Sequence, residues 1–132
     1  ATEAIGRALA EEGAATFAIE ADLADPDTPA RVSTRSAADG NVTALVMCHC
    51  ESVDSGLLDT TVESFDRHFA VNARATWLLI REYGRRFAAE RGTGRIIGLT
   101  SDHTVGNLPY GASKGAWTAS PWPPLTNSPI SG

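Results

Sequence analysis

The sequence contains no apolar run approaching the ~20 residues that a membrane-spanning helix needs. Its first residues, ATEAIGRALAEEG, also lack the basic start and apolar middle of a signal peptide. Neither a membrane nor a secreted protein is expected, and the setting read from the sequence is the cytoplasm. Basic residues are in short supply as well: 11 Lys plus Arg stand against 16 Asp plus Glu, for a formal net charge of −5. A phosphate-backbone binder needs basic surface, so nucleic acid is excluded as a partner. Cysteine is limited to Cys48 and Cys50. They lie two apart in an expected strand and are read as reduced thiols, in keeping with that compartment. At 132 residues there is no room for two domains, and the chain shows neither an internal repeat nor a low-complexity segment.

What is present alternates between helical and strand-like periods. Ile5, Ala8 and Leu9 predict a helix that Gly13 closes. ATFAIEADL follows as a short apolar strand, and ADPDTPARVSTRSAADG as a weak helix between Asp-Pro punctuation and Gly40. VTALVMC is a second strand, apolar without alternation, as where both faces of a parallel sheet are covered. Thr60-Thr61-Val62-Glu63 reads as a capping box. The long helix it opens runs to about Glu90, with a stripe of Val62, Phe65, Phe69, Asn72, Thr76, Leu79, Tyr83 and Phe87. Gly92 and Gly94 stop it, and RIIGLT is a third buried strand. Such alternation predicts an α/β layered domain with a parallel sheet. Ligands of such sheets sit at the carboxyl ends of the strands, here Asp22, the 48–52 stretch and Thr100-Ser101.

Tyr110 and Lys114 are four apart and share a helix face. A free phenol ionises near pH ~10, and an ammonium one turn away favours its phenolate, so the pair suits proton exchange; an exposed Tyr and Lys at a helix start is the plainer reading. Ser101 ends an apolar strand just before that helix, where a hydroxyl could hold a carbonyl oxygen or simply cap a turn. Asn72 lies in the apolar stripe, where an unpaired amide would cost a few kcal/mol. It either bonds a neighbouring strand or serves a proton relay.

Together these residues resemble the short-chain dehydrogenase/reductase family. The resemblance is carried by EADLAD, TALVM, SFDRHFAVNARATWLLI, GRIIGLTS and YGASKGA, across most of residues 16–116. It implies a fragment of a Rossmann-type doubly wound parallel sheet, about three strands with flanking helices, corresponding to the third, fourth and fifth strands of the family's sheet. It implies that Tyr110 is the general acid/base, protonating a carbonyl oxygen as hydride arrives from NAD or NADP. By the same resemblance Lys114 tunes Tyr110 and holds the nicotinamide ribose, Ser101 orients the carbonyl, Asn72 supports a water relay, and Asp22 lies beside the adenine. The implied substrate is a small carbonyl or alcohol.

Three departures qualify this. The family's glycine-rich TGxxxGxG turn does not occur in the sequence, so NAD or NADP is expected to bind weakly or not at all. Cys48-His49-Cys50-Glu51 stands where the family has Asn-Asn-Ala-Gly. A zinc site there would need His68 and His103 to complete four ligands, and no metal is expected. Finally, Pro121 follows closely on YGASKGA, so little more than two turns of helix are expected, with Lys114 frayed into water. The bases behind WTASPWPPLTNSPISG, read one base earlier, can encode a proline-free helix of apolar periodicity. The division expected is therefore 1–116, a partial Rossmann domain, and 117–132, a frameshifted, disordered tail. The reading is an impaired oxidoreductase. An inactive relic, or a module that pairs with an intact homologue or with itself through the long helix, stands as the alternative.

Overall fold

The computed structural model describes residues 2–38, 40–90, 92–101 and 106–119. The elements in chain order are helix α1 (Thr2–Glu11), helix α2 (Thr28–Ala37), strand β1 (Ala44–Met47), helix α3 (Val62–His68), a π-helical stretch (Phe69–Arg74), helix α4 (Ala75–Arg86), strand β2 (Arg95–Gly98) and helix α5 (Leu108–Thr118). The two strands pair in parallel, Ala44 opposite Arg95 and Met47 opposite Gly98. Parallel neighbours cannot be joined by a tight turn, and here the crossover is the unbroken helical run from α3 through α4. The expected α/β architecture is thus present.

The strand expected over ATFAIEADL is not. Residues 14–22 have no ladder; they lie against helices instead, with Thr16 Oγ1 donating to the Gly6 carbonyl at 3.3 Å and Phe17 under the Arg35 guanidinium at 4.5 Å. An extended segment becomes a strand only when a neighbouring strand takes its backbone hydrogen bonds. None of the described residues offers one.

The long helix also differs in detail from its expected form. Thr61, not Thr60, is the N-cap, its hydroxyl accepting from Ser64 N–H at 3.2 Å; Thr60 Oγ1 donates to the Gly56 carbonyl at 2.6 Å. The wide π turn shifts the phase of the buried face, so Val62 and Phe65 at the front of the expected stripe are exposed. Asn72, Thr76, Leu79 and Tyr83 stay inside. The helix stops at Arg86, short of Glu90, because Phe87 turns extended and lies against Tyr83, ring centroids 5.5 Å apart. Gly94 returns the chain beneath them: a Cβ there would stand 2.6 Å from Tyr83 Oη.

Met47, Leu79 and Ile80 form the buried centre, bordered by Leu23, Leu45, Ile96 and Trp117. Glu82 on α4, nearly buried, pairs with Arg81, Arg85 and Arg86, and the Arg86 bond above all holds its carboxyl below the usual range. Arg86 reaches on to Thr34 Oγ1 at 3.0 Å, tying α4 to α2. The opposite face of the sheet carries exposed Val46 and Ile97.

Trp117 and Thr118, assigned to the tail from the sequence, form the last turn of α5, Ala119 caps it, and residues 120–132 of that expected tail lie outside the described residues. The Trp117 ring lies so close over Gly98 that a Cβ there would be 2.4 Å from it. Gly98→Val should therefore expel the indole from the core at a cost of about 1–3 kcal/mol. A red-shifted tryptophan emission and a lowered melting temperature are the expected readouts; unchanged emission would refute the contact.

Candidate active site

Asn72 lies in the π-helical stretch of the crossover, a departure from α geometry that is frequent at functional sites. Its buried amide is fully engaged. Oδ1 accepts from Glu51 N–H at 2.8 Å, while Nδ2 donates to the Glu51 carbonyl and to Ser113 Oγ, both at 2.9 Å. One side chain thereby fixes the backbone leaving β1 and, through Ser113, the start of α5. Ser113 passes the contact on, its hydroxyl donating to the Tyr110 carbonyl at 2.9 Å.

α5 starts where it does because Asn107 caps it, Oδ1 accepting from Tyr110 N–H at 3.3 Å, with Pro109 in the first turn. Asn107 Nδ2 also donates to Asp54 Oδ1 at 2.6 Å, and Leu108 N–H to the Ser55 carbonyl at 3.2 Å. The 51–55 loop is secured from the other side by fully buried His68. Its Nε2 accepts from Val53 N–H at 3.1 Å. That bond puts the ring proton on Nδ1, which lies 2.6 Å from the Ser64 carbonyl and donates to it.

Lys114 is 6% exposed, which overturns the expectation of a frayed lysine in water. Its ammonium donates to the His49 carbonyl at 3.3 Å and the Leu99 carbonyl at 3.2 Å, bridging the chain just beyond the ends of β1 and β2. Packing on the crossover and three turns of helix, rather than two, hold it there. The half-buried Tyr110 ring has its centroid 5.9 Å from Lys114 Nζ. Ser101, also half-buried, follows β2 by three residues at the same edge of the sheet. His103 lies outside the described residues.

Asp22 stands apart from this cluster. Its carboxylate accepts from Ala24 N–H at 3.0 Å and pairs with Arg67 at 3.4 Å, and these two contacts hold it below the ordinary range. Arg67 also pairs with Glu51 at 2.9 Å, so Asp22 joins the site only through that arginine. Sequence reasoning missed Ser113, Asn107 and Arg67. Asn107-Leu108-Pro109 was the available signal, a capping residue followed by proline; nothing in the sequence marks Arg67.

His49 faces inward, Nε2 lying 3.2 Å from Thr76 Oγ1. Burial lowers its pKa from the ordinary value of about 6.5, and the Lys114 charge lowers it further, against a bond to the Val71 backbone. Below pH ~6.5 the unfolded chain takes up this proton before the folded one does, so stability falls as the pH drops toward the lower folded value. The melting temperature should fall between about pH 7.5 and pH 5.5. It should fall less in His49→Gln, and an equal fall in both would exclude His49 as the source.

A parallel strand pair joined by one long helix, with Asn, Tyr and Lys gathered at the carboxyl ends, places the chain in the class of α/β folds that take ligands at strand ends. A family model described as Enoyl-(Acyl carrier protein) reductase matches residues 1–120. The chain belongs to the short-chain dehydrogenase/reductase family, a family of oxidoreductases, and its fold is a fragment of that family's Rossmann-type domain. Versicolorin reductase 1 of Aspergillus parasiticus is 35% identical over 123 residues, 88% of this chain and 45% of that protein. A short-chain dehydrogenase/reductase from Serratia marcescens superposes with a TM-score of 0.79 at 27% identity, over 88% of this chain and 49% of the other. A short-chain dehydrogenase from Burkholderia cenocepacia in complex with NADP gives 0.79 at 29%, over 87% and 48%. The chain spans about half the length of the proteins it matches. No helix among the described residues is long and apolar enough to cross a membrane.

Proposed function

We propose that residues 1–116 carry the proton-transfer half of an NAD(P)-dependent carbonyl reductase or alcohol dehydrogenase of this family, impaired in the chain as it stands. The observation that carries this reading is the burial of Lys114 between the His49 and Leu99 carbonyls, 5.9 Å from the Tyr110 ring. An ammonium has three hydrogens and the two carbonyls take two, leaving one for a ribose hydroxyl. The residues therefore fit the nicotinamide-ribose end of a dinucleotide. They do not fit its pyrophosphate, for which the sequence has no glycine-rich turn. When bound, the nicotinamide supplies or accepts the hydride.

The chain's own residues move the proton. The Tyr110 hydroxyl gives its proton to the carbonyl oxygen, which becomes the alcohol, and takes it back in the oxidative direction. Lys114 stabilises the phenolate formed, Ser101 donates to the same carbonyl oxygen, and Asn72 holds the backbone behind Lys114 through which a water relay returns the proton. Asp22 lies toward the adenine end. The NADP in the Burkholderia cenocepacia relative and the reductase name of the Aspergillus protein support cofactor and direction; the proposed setting is the cytoplasm.

The test is a chimera in which residues 16–116 replace the matching stretch of a full-length reductase. NADPH oxidation with a small ketone or aldehyde is expected, and a folded chimera without it would sink the assignment. Residues 1–132 alone should show no NADPH binding at micromolar concentrations by calorimetry, because one cation and one adenine contact do not offset the ordering of a flexible dinucleotide. A micromolar dissociation constant would contradict the impairment. Exposed Val62, Phe65 and Trp77 on the crossover helix favour a second reading, a module that pairs with an intact relative or with itself. Sedimentation of the chain alone and with a full-length relative distinguishes the two, and a monomer in both removes this reading.

A further inference from the structure

We propose that Cys48 and Cys50 chelate a soft monovalent cation, Cu(I) in type, on the side of the chain opposite the His49 ring. From Met47 to Glu51 burial alternates: Met47 is buried, Cys48 exposed, His49 half-buried, Cys50 exposed and Glu51 half-buried. That period belongs to an extended backbone whose successive side chains point to opposite sides. His49 is the inward one, against Thr76. The two thiols, both free and exposed, therefore share the outward side.

The spacing keeps them from closing on each other. Two residues of extended chain set the Cα atoms about 6.6–7.2 Å apart, straddling the upper limit of about 6.8 Å for a disulfide and well above its usual separation of about 5.5–6 Å. A bridging ion relieves the mismatch. With metal–thiolate bonds of about 2.3 Å, a linear sulfur–metal–sulfur unit spans about 4.6 Å, against about 2 Å for a disulfide. No group of three or more His, Cys, Asp or Glu among the described residues is placed to hold a metal. His68 is committed to Val53 N–H and the Ser64 carbonyl, so the ligands that the described residues offer here are two thiolates, which select a soft ion.

Binding balances without redox change: Cu(I) and two thiols give a dithiolate complex of single negative charge and two protons. The backbone between the two cysteines is fixed by Lys114, whose ammonium donates to the His49 carbonyl at 3.3 Å.

The experiment needs no turnover and so stands independently of the proposed activity. The reduced 132-residue chain is given Cu(I) held by excess bathocuproine disulfonate, without oxygen. One ion per chain should transfer, with release of about two protons. Affinity should fall by about 100-fold or more in Cys48→Ser and equally in Cys50→Ser, since either leaves one thiolate and no chelate. His49→Gln should keep the ion. Two ions per chain, retention by either serine variant, or loss in His49→Gln would overturn the site. Phenylarsine oxide gives a check that needs no variant: one adduct, formed with loss of one water, should consume both thiols. Two separate adducts would refute their shared side.

Discussion

Asn72→Leu should lower the melting temperature by about 10–20 °C or abolish cooperative unfolding altogether. Leucine fits the space of the amide but makes none of its bonds. Glu51 N–H and the Glu51 carbonyl lose partners at 2.8 and 2.9 Å, and Ser113 Oγ loses its donor. Each backbone group left unsatisfied in a partly buried site costs about 1–3 kcal/mol. The loss of two is thus a large part of the 5–15 kcal/mol typical of a domain. This protein should sit at the low end, since its buried apolar side chains among the described residues are Met47, Val71, Ala75, Leu78, Leu79, Ile80 and Tyr83. At about 4–8 °C per kcal/mol for a domain of this order, the fall should be plain in a thermal melt followed by near-ultraviolet circular dichroism. Asn72→Asp should lie between, because its carboxylate still accepts from Glu51 N–H but faces the Glu51 carbonyl with no proton to give. A leucine variant melting within about 2 °C of the parent would show that the network contributes nothing.

That prediction also marks where the sequence was informative. An asparagine inside an apolar helical stripe is legible as a demand for partners, because burial of an unpaired amide is costly in any fold. Which partners answer it depends on what lies across the helix. Neither Glu51 nor Ser113 could be read from local pattern, since they lie 21 and 41 residues away. Both paired strands and the crossover were legible from periodicity. The absence of a strand over ATFAIEADL was not, because that segment carries strand propensity while pairing is a property of its neighbours. Lys114 shows the converse failure. Pro121 lies outside the described residues, but α5 runs three turns to Thr118, and packing on the crossover holds the lysine where propensity alone left it frayed.

In the chimera carrying residues 16–116, Tyr110→Phe should cut kcat by about 10²–10⁴-fold, the range general acid–base catalysis supplies. The dissociation constant for NADPH should hardly change. Both backbone bonds of Tyr110 survive the change. Its backbone N–H goes to the Asn107 cap and its carbonyl receives Ser113 Oγ, and phenylalanine keeps both. What the variant deletes is the hydroxyl, which in the proposed role acts on the substrate's proton and not on the dinucleotide. Lys114→Met should behave differently. It removes the ammonium that joins the His49 and Leu99 carbonyls beyond the two strands, so stability, cofactor affinity and turnover should fall together. Under the proposed roles, the contrast separates a group that transfers a proton from one that builds the place where it is transferred. If Tyr110→Phe kept its turnover, the proton-transfer role would pass to another residue.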